Sequence, residues 1–265
     1  MITSVSNDRV KLVRALQSRK RTREQEGRLV FEGLRLVEEV VQAGVAPDFA
    51  LVTEALAADR RGGQVLEALQ RVGAPVYSVT EAVMAACSDT QTPQGVLIVL
   101  PIPELPLPVA PTLSLVVDGV HDPGNLGTIL RTAWAAGVEQ VLLAPGTVDV
   151  ASPKVVRSAM GAHLHLPLRA CAWDDISAAV SHCDVWLASA AAEVCYTEID
   201  WTRPVALIMG GEAEGAGAQA SALAKGCVSI PMAPLVESLN TAVAAAIILF
   251  EAVRQRQAHC SHGAG

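Results

Sequence analysis

The sequence predicts an α/β protein of two domains, the second built on a parallel sheet with helices on both faces. Short apolar runs alternate with helical segments along the 265-residue chain, which is typical of α/β folds. The runs 113–117 and 205–209 are apolar almost throughout, as strands buried on both faces are. A stretch with five prolines in eleven residues, 101–111, excludes a helix or a central strand and separates the domains.

The first domain is predicted over residues 1–103. It begins with a basic helical segment near residues 6–24. The predicted strands that follow are 29–31, 49–53, 76–79 and 95–100, and the predicted helices are 32–44, 63–72 and 80–87. Helix 32–44 places Leu34, Val37, Val40 and Val41 on one face. Alternation on this scale indicates a three-layer α/β/α unit.

Residues 104–111 are predicted to form an extended, semi-rigid linker because of their prolines. The second domain is predicted over 112–258, and the tail 259–265 is expected to be disordered. The strands predicted in the second domain are 113–118, 140–144, 164–168, 184–189, 205–209 and 227–230. The helices predicted there are 125–136, 152–161, 173–181, 217–225 and 238–256.

Charge is unevenly distributed along the chain. The net charge of −7 argues against a uniformly basic nucleic-acid binder, yet residues 9–28 hold eight of the 20 lysines and arginines. These eight are Arg9, Lys11, Arg14, Arg19, Lys20, Arg21, Arg23 and Arg28. Such a basic face suits contact with an RNA backbone, and a solvated helix face is an equally open interpretation.

Other features argue against a secreted, membrane or metal protein. Six cysteines are scattered without a C-x-x-C pair, as reduced cytosolic thiols are. The N-terminus lacks the apolar segment of a signal peptide, and the longest apolar stretch, 242–250, is too short to cross a bilayer. His163 and His165 lack a third ligand at metal spacing and are interpreted as half-buried histidines. We therefore expect a soluble cytoplasmic protein without a metal.

A first candidate motif follows the strand 113–118. The strand ends in Asp118, and a glycine-containing turn leads into a helix on which Asn125 suits the N-cap or its flank. Arg131 comes six residues later, somewhat under two helical turns, so both side chains can face one cavity. An ordinary strand–turn–helix with an exposed arginine has the same pattern.

A second motif, residues 210–215, follows the apolar strand 205–209. Its glycines would let backbone groups approach a ligand, with Glu212 fixing the loop. The segment lacks the Lys-Ser/Thr of a phosphate-binding P-loop and the G-x-G-x-x-G of a nicotinamide dehydrogenase, so both classes are disfavoured. A plain glycine-rich turn remains equally open.

A third motif combines 230–232, Ile-Pro-Met, with 238–240, Ser-Leu-Asn. Ser238 is predicted to be the N-cap of the long helix, with Thr241 in its first turn. The unpaired N–H groups of that turn favour an anion or a carboxylate. The apolar face of the helix is expected to pack on the sheet or on a subunit partner through Val243, Ile247 and Phe250.

Taken in order, N-x-G-x-x-x-R, G-x-E-x-x-G and I-P-M with S-L-N resemble the three motifs of the SpoU/TrmH family of RNA ribose 2′-O-methyltransferases. The first domain is similar to the RNA-binding extension of that family, which has a small ribosomal-protein-like fold. This similarity rests on the basic start, on 31–38 and on 88–95. The resemblance implies S-adenosylmethionine as cofactor, a deep trefoil knot in the second domain, and a homodimer formed through that domain.

The resemblance also implies site residues. The catalytic positions are Asn125, Arg131, Glu212, Ser238 and Asn240. The implied cofactor residues are Ala188, Ser189, Gly210, Gly211, Glu212, Ile230, Met232, Leu239 and Asn240. Arg131 would act either as the base for the ribose hydroxyl or as a clamp for the adjacent phosphate, and both roles are open at this point.

The sequence therefore predicts methyl transfer from S-adenosylmethionine to a ribose 2′-hydroxyl of RNA. The basic N-terminal unit favours 23S ribosomal RNA over transfer RNA, and it does not separate a housekeeping enzyme from a resistance enzyme. The alternative from another class is a non-catalytic RNA-binding or ribosome-assembly protein.

Overall fold

The computed structural model describes residues 1–211 and 215–262, with side chains described up to residue 259. The helices are α1 (Asp8–Ser18), α2 (Lys20–Glu26), α3 (Leu34–Gln42), α4 (Glu54–Ala58), α5 (Arg60–Arg71), α6 (Glu81–Cys87), α7 (Pro123–Ala135), α8 (Pro153–Ala159), α9 (Trp173–Ala179), α10 (Ala218–Leu223) and α11 (Thr241–His262). The strands are β1 (Arg28–Glu32), β2 (Phe49–Thr53), β3 (Val76–Val79), β4 (Val96–Pro101), β5 (Leu113–Asp118), β6 (Gln140–Leu143), β7 (Leu168–Ala170), β8 (Asp184–Ala188), β9 (Val205–Gly210) and β10 (Gly226–Val228).

The chain forms two compact units. The first comprises residues 1–103 together with 149–164, and the second comprises the described residues of 104–148 and of 165–265. The sequence predicts 149–164 as part of the second domain, because this segment follows that domain's strands in order. Its contacts group it with the first unit instead, and periodicity carries no signal for such an insertion.

The first unit has a mixed four-stranded sheet in the order β1-β4-β2-β3. Strand β4 is antiparallel to both β1 and β2, whereas β2 and β3 are parallel. Alternate residues of each strand point to opposite faces. Leu29 and Phe31 pack with α3 and α5, and Val30 packs with α1 and α6. The unit therefore has three layers, with an apolar core on each face of the sheet.

The basic segment predicted as one helix is two helices. Arg19 has extended dihedrals, φ −129° and ψ 113°, and separates α1 from α2. This break turns Arg23 inward, where its Nε and Nη2 donate to Asp149 Oδ2 at 2.8 and 2.6 Å and its Nη1 donates to the Leu16 carbonyl at 2.5 Å. The Arg23 side chain is only 7% exposed. Arg23 therefore fixes the inserted segment within the first unit, and its guanidinium is not on the basic surface.

The inserted segment is also fixed by His163. Its Nε2 lies 2.8 Å from the carbonyl oxygen of Val150, and its ring meets the edge of Phe31. Burial lowers the pKa of His163, so the imidazole is held neutral. The prediction of half-buried histidines is wrong, because His163 is buried and His165 is exposed. The strand predicted at 164–168 begins only at Leu168, after a 3₁₀ turn at 162–164.

The second unit contains a six-stranded sheet in the order β10-β8-β9-β5-β6-β7, and every pair of neighbouring strands is parallel. The predicted parallel sheet is thus confirmed. Its central strands, β5 and β9, are buried almost throughout. Because all six strands run in one direction, the loops after β5, β8, β9 and β10 meet at one edge, where open α/β sheets bind ligands.

The long C-terminal helix begins later than predicted. Asn240, not Ser238, caps it, since Asn240 Oδ1 accepts hydrogen bonds from the N–H groups of Ala242 at 2.9 Å and Val243 at 3.3 Å. The helix continues to His262. The prediction of a disordered tail is therefore wrong for residues 259–262, and 263–265 lie outside the described residues.

We expect Arg23→Ala to lower the free energy of unfolding of the first unit by about 3–5 kcal/mol. The substitution removes one partner of a largely buried ion pair and leaves the Asp149 carboxylate without its cation. Urea unfolding followed by circular dichroism measures this loss. Arg21→Ala, at an exposed position of the same helix, is the control and should change the value by at most about 0.5 kcal/mol. Equal stability of the two variants would contradict a structural role for Arg23.

Candidate active site

The first and second motifs meet where β5 and β9 end. Asp118 and Gly210 are paired across the two strands. One residue further on, a Cβ atom added to Gly211 would lie 2.2 Å from the carbonyl oxygen of Gly119. Only glycine allows the two backbones to approach so closely. Glycine is therefore required at position 211 by the packing of the two strand ends, in addition to its place in the glycine-rich loop.

The described ends of the glycine-rich loop are held by hydrogen bonds. Gly211 N–H donates to the Gly215 carbonyl at 3.1 Å. Gly217 N–H donates to the buried carboxylate of Asp118, whose Oδ2 accepts at 2.7 Å. Asp118 thus anchors the second motif to the central strand. Glu212, predicted as a catalytic and cofactor residue, lies outside the described residues.

The first motif is shaped by its own cap. Asp122 is the N-cap of α7, and its Oδ1 accepts from the backbone N–H of Asn125 at 2.8 Å. Asn125 consequently lies in the first turn instead of at the cap itself. Pro123 occupies the start of the helix, where a missing N–H costs nothing.

A side-chain hydrogen bond joins the first motif to the third. Asn240 Nδ2 donates to Asn125 Oδ1 at 2.9 Å. The orientation of the Asn240 amide is fixed, because its oxygen caps α11 and only its nitrogen remains to donate to Asn125. Thr241 links the third motif to the second, since its Oγ1 donates to the Gly210 carbonyl at 3.1 Å. Three segments that are distant in sequence are thereby locked together.

A cavity of about 790 Å³ opens beside these links. Its size falls in the range of small-molecule sites. Eight of the nine predicted cofactor residues line it, namely Ala188, Ser189, Gly210, Gly211, Ile230, Met232, Leu239 and Asn240. Ser238 lines it as well. Sequence reasoning missed further wall residues, among them Met209, Cys227 and Ile248, which are indistinguishable in sequence from ordinary strand and helix residues.

Arg131 is placed differently from the other predicted catalytic residues. It lies on the exposed face of α7 and is not among the residues that line the cavity. Within residues 1–211 and 215–259, no hydrogen bond or ion pair engages its guanidinium. The charge is thus available to an anion from outside the protein.

The predicted RNA-binding residues separate into two groups. Lys11, Arg14 and Arg19 line a groove of about 600 Å³ in the first unit. Cys87 also borders the groove, and burial raises the pKa of this thiol to about 11, so it carries no charge there. The groove therefore offers three cations to a ligand, beside neutral groups and the carboxylate of Asp89, which Arg157 pairs with at 2.8 Å.

The remaining basic residues have other surroundings. Arg28 donates to Asp48 at 2.6 Å, a bond that raises the pKa of Arg28, and it also pairs with Glu26. Arg9 lies 4.1 Å from the centroid of the Tyr77 ring, Lys20 pairs with Glu24 at 3.7 Å, and Arg21 is exposed. Arg23 and Arg28 are therefore structural, whereas the other six basic residues are exposed. Three of these six share the groove, where Lys11 also pairs with Asp8 at 3.1 Å.

Metal sites and membrane-spanning helices are both absent from the described part of the chain. Among residues 1–211 and 215–259, no three His, Cys, Asp or Glu side chains are grouped as a metal site would require. No described helix combines the length and the apolar character needed to cross a membrane.

Comparison with known proteins agrees with the geometry. Residues 112–250 match the model of the SpoU rRNA Methylase family, and residues 7–98 match the MRM3-like substrate binding domain. A curated relative, the 23S rRNA (guanosine(2553)-2′-O)-methyltransferase RlmP of Bacillus subtilis, is 35% identical over 94% of this chain and 97% of its own length.

Solved structures of two methyltransferases show the same fold. The AdoMet-bound rRNA methyltransferase from Sinorhizobium meliloti has 32% identity and a TM-score of 0.84, covering 96% of this chain and 97% of that one. The SpoU methyltransferase AviRb from Streptomyces viridochromogenes, in complex with AdoMet, has 26% identity and a TM-score of 0.86, covering 95% and 98%. Fold and cavity thus define a methyltransferase of the SpoU class.

The chain belongs to the SpoU rRNA methylase family.

We expect Gly211→Ala to destabilise the second unit by about 1–3 kcal/mol, because the added methyl group overlaps the Gly119 carbonyl. All four tryptophans lie in this unit, so urea unfolding followed by tryptophan fluorescence reports on it. Gly217→Ala is the matched control, since its Cβ would meet only the Asp118 carboxylate at 3.4 Å. Because Gly217 is the N-cap of α10, where alanine is less favourable than glycine, this variant should cost at most about 1 kcal/mol. Indistinguishable stabilities would argue against the close approach.

Proposed function

We propose that this protein transfers a methyl group from S-adenosylmethionine to a ribose 2′-hydroxyl of ribosomal RNA. The observation that carries the proposal is the convergence of the three motifs on one cavity, joined by Asn240 to Asn125 and by Thr241 to Gly210. Family membership and the AdoMet complexes of two similar structures support the same activity and cofactor.

The cavity suits the cofactor chemically. Gly210 and Gly211 line the cavity without side chains, so a ligand can approach their main-chain groups directly. Ile230, Met232 and Leu239 supply apolar wall for an adenine ring. When bound, S-adenosylmethionine would supply an electrophilic methyl group on its sulfonium.

The catalytic residues would act mainly by positioning and electrostatics. Asn125 and Asn240 would hold the ribose side of the site, since their mutual hydrogen bond fixes both amides. Ser238 also lines the cavity. Arg131 would bind the adjacent phosphate and stabilise the oxyanion that develops on the 2′-oxygen, because a guanidinium stays protonated and is a poor base. The role implied for Glu212 stays a prediction.

The substrate proposal rests on the first unit. Lys11, Arg14 and Arg19 on one groove suit an RNA backbone, whose phosphates dominate affinity for nucleic acids. The curated relative RlmP acts on 23S rRNA by its name, and we extend that substrate class to this chain. The target nucleotide, the trefoil knot, the ribosomal-protein-like fold of the first unit and the cytoplasmic location remain predictions from the sequence.

A homodimer is part of the proposal. Val243 and Phe250 lie two turns apart on α11 and are 48% and 49% exposed. Side chains of this size are normally buried in a packed core or an interface. The face that they define would therefore pack against a second copy of the chain.

We expect Arg131→Ala to reduce kcat/KM for methyl transfer to ribosomal RNA by about 100-fold or more, a loss of about 2.7 kcal/mol or more, as for removal of one oxyanion donor. Transfer of radiolabelled methyl from S-adenosylmethionine to deproteinised ribosomal RNA measures the rate. Arg131→Lys should recover part of it, because the charge remains while the bidentate fork is lost.

Calorimetry with S-adenosylmethionine is the control for that experiment, since Arg131 does not line the cavity and its variants should bind the cofactor normally. Near-normal turnover by Arg131→Ala would refute both roles proposed for the arginine. Absence of cofactor binding by the unmodified protein at millimolar concentration would refute the enzymatic function itself.

We expect Phe250→Glu to convert a dimer into monomers, because it places a charge in the apolar face of α11. Light scattering on a size-exclusion column measures the mass. Val109→Glu is the control, since Val109 is fully exposed in the proline-rich segment and should not affect assembly. A dimer that persists in Phe250→Glu would place the interface elsewhere.

A further inference from the structure

An exposed pair of stacked rings lies beside Arg131. Trp134 is 36% exposed, and its indole stacks on the exposed imidazole of His165 with ring centroids 4.5 Å apart and planes inclined by 7°. The chain has only nine Phe, Tyr and Trp residues in all. Trp201 shows the usual arrangement, since it is fully buried and its indole N–H donates to the Tyr196 carbonyl.

The pair has unused binding capacity. In the part of the chain that the structure describes, the indole N–H of Trp134 makes no hydrogen bond, although buried or interfacial tryptophans usually satisfy theirs. Stacked flat rings in water present a surface on which a third flat ring can continue the stack. Nucleobases use aromatic side chains in this way, and the contact is largely independent of base identity.

The position of the pair adds a charge. Thr128, Arg131 and Trp134 recur at three-residue intervals along α7, and all three are exposed. Side chains three apart on a helix are neighbours, so the Arg131 guanidinium and the rings share one surface. A cation next to a stacking platform matches a nucleotide, which carries a phosphate next to a base.

We propose that Trp134 and His165 form a stacking platform for an RNA base that flanks the methylated ribose. Arg131 would bind the phosphate that lies between that base and the ribose. This inference rests on the proposed function and assigns it a further RNA contact. RNA fits this face better than a second copy of the chain does, because the exposed residue one turn before Trp134 is the cation Arg131. The exposed aliphatic and aromatic face suited to a second copy is on α11.

The experiment uses the full-length protein with Trp134→Ala and Trp134→Phe, and deproteinised ribosomal RNA as the probe. Trp134→Ala should lower kcat/KM for the RNA about 5- to 30-fold through KM, the range expected for one lost base stack. Trp134→Phe keeps a ring and should stay within about 3-fold of the unmodified protein. Val194→Ala, at a residue equally exposed at 37% in the same unit, is the matched control and should have no effect.

Two further readouts separate stacking from a structural role. RNA should quench part of the tryptophan emission of the unmodified protein, and Trp134→Phe should lose that part. Trp134→Ala should leave the salt dependence of RNA binding unchanged, whereas Arg131→Ala should reduce its slope, because only the arginine neutralises a phosphate.

Unchanged kcat/KM in Trp134→Ala would overturn the proposal of a stacking platform. Methyl transfer by the unmodified protein would still support the proposed function. Conversion of Trp134→Ala to monomers in light scattering would overturn it too, since the face would then belong to a second copy. Absence of methyl transfer by the unmodified protein would instead refute the proposed function.

Discussion

The close approach of β5 and β9 at their carboxyl ends is the constraint on which the rest of the site depends. Gly211 lies against the Gly119 carbonyl without space for a side chain, and Asp118, the last residue of β5, receives the N–H of Gly217. The second motif is therefore anchored to the central strand, and the buried parallel sheet holds the cavity wall rigid. A loop held only by its own glycines would present no fixed backbone groups to a ligand.

Neutral hydrogen bonds complete the site. Asn240 makes two of them, because its oxygen caps α11 while its nitrogen reaches Asn125 on α7. An amide serves both tasks because it carries a donor and an acceptor, which a carboxylate does not. Among the proposed catalytic residues that the structure describes, Arg131 is the one that carries a charge, and that charge is directed outward. The surface that Arg131 shares with Trp134 is where RNA recognition and chemistry would meet.

The elements that the sequence predicts well are those whose signals are local. Strands 113–118 and 205–209 are visible as apolar runs, and the helix predicted at 32–44 is found at Leu34–Gln42, just before Gly44 with its φ of +70°. The errors arise where tertiary contacts override local pattern. One basic helix becomes two because Arg19 is extended and Arg23 turns toward Asp149, and the strand expected at 164–168 begins later because His163 is drawn into the first unit.

The sequence by itself determined the fold class, the order of the motifs and the residue types at the site, because hydrophobic periodicity and spacing are written along the chain. Only the tertiary structure decided that Asn240, and not Ser238, caps α11, that residues 149–164 belong to the first unit, and that Trp134 stacks on His165 at the surface. The physical reason is common to all three. Each depends on partners far apart in sequence or on burial by other elements, and a linear pattern contains neither.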